Sequence, residues 1–145
     1  MMQEIVINKC HGGFGLSKDA TLALASRKGI KVWGRETEFG NDEFWTIPPS
    51  EQPPFVSITE REERPEEYAT YIEARKKHGW WLYDLSDEDG FRSDPDLVAT
   101  IKEYGDAANS RFAALSVVEI PDGVEYSIEE YDGLEWVAEK HRTWG

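Results

Sequence analysis

Apolar positions along the chain change period several times, and each change marks an element. Residues 2–8 hold the β-branched run Ile5, Val6 and Ile7, which reads as a strand. Residues 10–15 follow as CHGGFG, a glycine-rich turn. Ser17 is a good N-cap, Asp19 favours the positive end of a helix, and Leu16 can staple its start. The helix runs to about Lys28, with Ala20, Leu24 and Arg27 along one side and Leu22 and Ala25 beside it. Gly29 is a natural residue to end it. Residues 30–33 predict a second strand, so the opening is a candidate βαβ unit.

The middle of the chain is less regular. Residues 44–47 predict a short strand, and Pro48, Pro49, Pro53 and Pro54 make a rigid connection or arm over about 48–59. A second helix is expected over 65–77, with Pro65 at its first turn, acidic residues at its start and Arg75, Lys76 and Lys77 at its end. Gly79 stops it, and residues 80–85, WWLYDL, read as a strand buried on at least one face. After a polar turn over 86–92, Ser93 or Asp94 caps a third helix with the stripe Leu97, Val98, Ile101 and Tyr104. Residues 115–120 are a strand. Val124, Tyr126 and Ile128 alternate with polar residues, Asp132-Gly133 is a hairpin signal, and Leu134, Trp136 and Ala138 alternate in the return strand. The sum is a single α+β domain over 1–145: a mixed sheet, about three helices, and a C-terminal antiparallel meander of the last three strands.

Composition narrows the class. A chain of 145 residues is near the commonest size of one domain, and 12% aromatic residues, six of them Trp, supply a core despite 31% charged residues. Cys10 is the one cysteine, too few for an intrachain disulfide or a thiolate zinc site. The N-terminal residues lack the pattern of a signal peptide, and no apolar run reaches the ~20 residues of a membrane span. The expectation is a cytoplasmic protein with no membrane partner. The net charge of −13, from 29 acidic and 16 basic residues, argues against direct nucleic-acid binding, which needs cations to displace counterions. It also admits a second use: an acidic surface that imitates nucleic acid and occupies a basic protein.

Candidate chemistry is sparse. A glycine turn that feeds a helix N-terminus aims backbone N–H groups and a positive dipole at one spot, which suits an anion. On that reading Lys9, Gly12, Gly13, Phe14, Gly15, Ser17 and Lys18 line the site. The turn is nevertheless neither a dinucleotide-binding fingerprint nor a Walker loop, and its glycines serve equally to tuck Phe14 into the core. Cys10 and His11 are adjacent, so on extended backbone they point opposite ways and make a poor nucleophile–base pair. His11, His78 and His141 are scattered without metal-ligand spacing, and the acidic residues around Asp87 miss the register of a calcium loop. No metal or cofactor is expected. At the C-terminus His141, Arg142 and Trp144 offer a base-stacking or phosphate-clamping set, provided that the last strand returns beside the first.

The N-terminal IVINKCHGGFGLS, the helix start SDPDLV, and the C-terminal VVEIP and YDGLEWVAEKHRTW resemble a family of short hypothetical proteins found in phages and prophages. The resemblance covers about a third of the chain at its two ends, and the proline-rich middle lies outside it. It implies a phage origin, hence the host cytoplasm, and an accessory role such as anti-defence. Two functions follow as expectations. The first is a non-catalytic sponge that sequesters a small anionic ligand, a nucleotide-type immune signal. The alternative is an acidic inhibitor of a basic host defence protein. In either case a homo-oligomer is expected on base rates.

Overall fold

The computed structural model describes residues 1–37 and 41–140. The chain is α+β. Strand β1 (Met2–Asn8) leads through the glycine turn to helix α1 (Lys18–Arg27), then to strands β2 (Trp33–Glu36) and β3 (Asp42–Trp45). Helix α2 (Pro65–His78), strand β4 (Gly79–Trp80) and the single turn α3 (Tyr83–Ser86) follow. Helix α4 (Pro95–Tyr104) and strands β5 (Leu115–Pro121), β6 (Tyr126–Tyr131) and β7 (Leu134–Glu139) complete the described chain. None of the described helices is long and apolar enough to cross a membrane.

The sheets are antiparallel in every described pairing, so the expected mixed sheet and βαβ opening are corrected. β1 pairs with β5, placing Ile5 opposite Val118 and Val6 opposite Val117, while β2, β3 and β4 form a separate ladder. The physical reason lies in β2, which reads WGRE. A parallel strand in a βαβ sheet is covered on both faces and has no place for Arg35, which pairs here with Glu43 of the neighbouring strand. The C-terminal meander is corrected as well. β6 and β7 form the hairpin, with Asp132 at φ 49° and Gly133 at φ 90° as its turn, but β5 belongs to β1. Between β5 and β6 the side-chain amide of Gln3 donates to the carbonyls of Pro121 and Val124, both at 3.0 Å, where a third ladder would begin.

The segment WWLYDL is mostly not a strand. Only Trp80 joins the ladder, opposite Phe44, and the chain then turns into α3. Leu82 and Leu85, three apart, both reach the main core, so the period of burial is helical.

That core is Val6, Leu16, Ala20, Leu24, Phe91, Leu97, Val98, Ile101 and Ala108. Helices α1 and α4 meet there and pack over β1. Ile5 and Ile7 point to the other face and are equally buried, which explains an apolar run without alternation. Both helices are capped by their own side chains: Ser17 accepts from Ala20 N at 3.2 Å and Asp94 from Asp96 N at 2.8 Å. Asp94 also receives the Nζ of Lys28 from the end of α1, a clasp between the helices. A second cluster joins Trp45, Val56 and Tyr71, with Phe55 edge-on to Tyr71 at 5.3 Å. The proline segment contributes Phe55 and Val56 to this cluster, and the Pro53 carbonyl accepts from Arg35 Nη1 at 2.7 Å.

Leu24 is fully buried between the helices. Leu24→Ala is expected to lower stability by about 2–5 kcal/mol, read as a shifted urea midpoint with an unchanged slope.

Candidate functional site

The glycine turn is held from beneath by Asn8, which is fully buried. Its Nδ2 donates to the carbonyls of Cys10 and Gly133, both at 2.7 Å, and its Oδ1 accepts from Ala114 N at 2.8 Å. One side chain thus joins the turn, the tip of the β6–β7 hairpin and the start of β5. The turn is also gripped from its sides. A Cβ on Gly12 would overlap the carbonyl oxygen of Phe112, and one on Gly15 would meet Ser110 Oγ. A Cβ on Gly133 would lie 2.7 Å from His11 O and from Gly13 N. Gly13 itself has φ +98°, a conformation that glycine adopts without strain. Close approach of protein backbone therefore accounts for Gly12 and Gly133, and the Ser110 side chain for Gly15.

The other residues assigned to an anion site diverge. Lys9 is exposed at the end of β1, where its N–H donates to Ala114 O at 2.7 Å. Lys18 lays its stem over Gly34 of β2. The hydroxyl of Ser17 caps its own helix and donates to Ala107 O at 2.6 Å. Phe14 lies under the guanidinium of Arg92, 3.8 Å from the ring centroid, and is edge-on to Phe91 at 6.1 Å. Cys10 Sγ is 2.9 Å from Phe112 O and 3.4 Å from Asn8 Oδ1. His141, Arg142 and Trp144 lie outside the described residues. The last strand does return to the glycine turn, but through the hairpin tip. Lys140, the last described residue, is at the opposite end of β7 and donates to Glu125 O at 2.9 Å.

Two ion clusters largely withdrawn from water escaped the sequence reading. In the first, Arg92 Nη1 and Nη2 bind Glu135 Oε1 and Oε2 at 2.7 and 2.8 Å, a bidentate pair. Arg92 Nη1 also donates to Val6 O at 3.1 Å, and Asn8 N donates to Glu135 Oε1 at 2.7 Å. Burial would raise the Glu135 pKa. The bond from Arg92, the Asn8 N–H and the nearby positive charge outweigh it and hold the carboxyl below its usual range.

In the second cluster Glu43 is buried among donors. Arg35 binds Oε1 through Nε at 2.8 Å and through Nη2, and Trp45 Nε1 reaches the same oxygen at 3.1 Å. The Tyr71 hydroxyl donates to Oε2, and Arg75 Nε is 3.9 Å from it. Both guanidinium groups lie over the Trp45 ring, at 5.1 and 4.9 Å from the centroid. Burial, with the bond to Glu43, pushes the Tyr71 hydroxyl well above its ordinary pKa, and burial lowers that of Arg75. The one sequence signal for this cluster is Arg35 opposite Glu43 on adjacent strands. Its carboxylate is consumed by protein donors, so the cluster is a joint of the fold and not an acid–base centre.

The surface is more distinctive. Cross-strand pairing puts Ser127, Glu129, Tyr131, Leu134, Trp136 and Ala138 on one face of the hairpin, opposite the face that carries Glu135 inward. On that outer face Tyr131 is 71% and Trp136 46% exposed, with Glu129 directly across from Trp136. Phe112, at the other flank of the glycine turn, is 65% exposed. Beside the hairpin, a cleft of about 510 Å³ separates β6 from the acidic turn Asp87, Glu88 and Asp89. Among the described residues, no group of three or more His, Cys, Asp or Glu side chains is placed to hold a metal ion.

No family model matches the chain, and neither curated proteins nor solved structures match it.

Glu135→Ala should lower stability by about 3 kcal/mol, since it strands a half-buried guanidinium and an N–H, and urea unfolding at neutral pH will read the loss. The contribution of Glu135 is present above its unfolded pKa of about 4.3 and fades as pH falls through its lower folded value. The acid limb of the wild-type stability curve should therefore flatten in the variant. Gly12→Ala forces backbone against Phe112 and should cost about 1–3 kcal/mol by thermal unfolding.

Proposed function

We propose that the chain is a non-catalytic binding protein whose acidic surface occupies a basic partner protein, with the outer face of the β6–β7 hairpin as its contact surface. The carrying observation is that Tyr131 and Trp136 stand exposed on one face of a strand pair held rigidly at its tip by Asn8 and along β7 by Glu135. Exposed aromatics on a fixed frame lose little entropy on contact and are the residue types that anchor interfaces. Glu125, Glu129, Glu130, Asp132 and Glu139 surround them, all exposed, and a cationic partner is the complement of such a rim. The net charge of −13 extends the same preference over longer range.

The resemblance to short phage and prophage proteins supplies the setting: a host protein that handles nucleic acid or guards against infection, blocked on its basic surface. The reading of the glycine turn as a nucleotide pocket has less support, because Phe112, Ser110 and Gly133 occupy the space beside its glycines.

The test compares wild type with the double variant Tyr131→Ala/Trp136→Ala. Wild type should retain a basic host protein at low salt and release it steeply as salt rises, and the variant, equally stable, should bind at least about tenfold more weakly. Equal retention by both proteins would sink the assignment of the hairpin. Retention of nothing basic, with a melting temperature raised by a nucleotide, would move the function back to the glycine turn.

A further inference from the structure

β6 has a free edge. It pairs with β7 on one side and with no other described strand. The two-residue turn makes Tyr131 and Leu134 the first hydrogen-bonded pair, and Lys140 N donating to Glu125 O at 2.9 Å continues that alternation to the far end. The N–H and C=O groups of Tyr126, Ile128 and Glu130 therefore point away from β7. Tyr126 and Ile128 line the cleft of about 510 Å³, and Asp87, Glu88 and Asp89 form its opposite wall. Arg92, which also borders the cleft, is neutralised by Glu135, leaving Lys140 as the cleft's one cation without an ion pair among the described residues.

We propose that an extended, lysine- or arginine-bearing segment of the partner adds to β6 as a further strand, its backbone on Tyr126, Ile128 and Glu130 and its cationic side chains toward Asp87, Glu88 and Asp89. This deepens, and rests on, the reading of the chain as a binder of basic proteins. Strand addition supplies affinity through the ladder and specificity through alternate side chains. Charge selects the occupant. A second copy of this chain would bring its own Glu129 and Glu130 against the same edge, and like charges across a strand pair repel. A basic strand meets a complementary wall instead. The Arg92–Glu135 pair covers the open edge of β1 from within, and the β6 edge has no such cover from a described strand.

The probe is a fluorescent alternating lysine–valine peptide of about ten residues, the length of a long strand. Its control is the same peptide N-methylated on alternate residues, which keeps the charge and removes the ladder donors. Fluorescence anisotropy on the full chain should show binding of the first peptide and at least about tenfold weaker binding of the second. Ile128→Pro removes an N–H that the hairpin does not use, and should weaken the unmodified peptide by a similar factor. Reversal of the acidic wall, Asp87→Lys/Glu88→Lys/Asp89→Lys, alters only exposed positions and should do the same. Amide exchange gives an independent reading: Ile128 and Glu130 N–H should become protected on binding.

Equal affinity for the two peptides, with no protection on β6, would overturn strand addition and leave simple charge attraction. A basic host protein held equally well by Ile128→Pro and by wild type would overturn it too, while the proposed function stood. Concentration-dependent dimerisation that Ile128→Pro abolishes would also overturn it, by making a second copy the occupant.

Discussion

The bidentate pair of Arg92 and Glu135 is the interaction on which the rest of the arrangement depends. β1 is the central strand of the main core, yet it has one strand partner. The alternation set by Lys9 N donating to Ala114 O turns Val6 and Asn8 outward on the side away from β5. Arg92 takes the Val6 carbonyl and Glu135 takes the Asn8 N–H, so an ion pair stands where a strand would. That solves the edge problem without exposing ladder groups to water or to another chain. It also ties three distant parts of the sequence together: the turn before α4, the hairpin, and β1. The carboxylate and guanidinium are mostly removed from water, a cost that only their full set of partners offsets.

The glycine turn follows from the same joint. With β7 fixed on β1 through Glu135, the hairpin tip lands on residues 11–13, and its Gly133 is tolerated there because a larger residue would strike His11 and Gly13. Asn8 then fastens the tip and the turn together. Phe14 is held by the cation of the ion pair and by Phe91, so an aromatic ring assigned to the anion site is part of the clamp. A turn whose composition suits phosphate can thus be shaped by packing alone, because glycine serves close backbone approach in both settings.

Much of this was legible in the sequence where the signal is local. The caps Ser17 and Asp94, the Asp132-Gly133 turn, the run of β1 and the stripe of α4 are short-range choices, and each has one favoured structure. What failed was long-range. That β1 pairs with β5, more than a hundred residues on, is not encoded in either strand's period, because any apolar strand would match it. WWLYDL misled because its two tryptophans suggest a strand, whereas Leu82 and Leu85 are spaced for a helical turn. The two ion clusters join residues that are separated along the chain, and Arg35 opposite Glu43 is the one pair whose spacing hints at its partner. For the candidate surface, alternation in β6 and β7 was clear, but not which face would turn out. Glu135 decides that. A carboxylate drawn inward by Arg92 commits Trp136, the next residue, to the opposite side.

The charge balance reaches the surface by the same route. Internal ion pairing leaves the net of −13 untouched, but it takes up three arginines against two carboxylates and so removes cations from where they would dilute the surface charge. Arg35, Arg75 and Arg92 are spent in this way on Glu43 and Glu135. Most of the remaining described carboxylates face water with fewer cations among them, and several crowd the acidic turn at Asp87 and the ends of β6. Such a surface disfavours its own copies and is complementary to a cationic chain, the occupant proposed for the unpaired strand edge between those two acidic segments. The inward carboxylate of the hairpin thus builds the frame, and the outward ones define what the frame can meet.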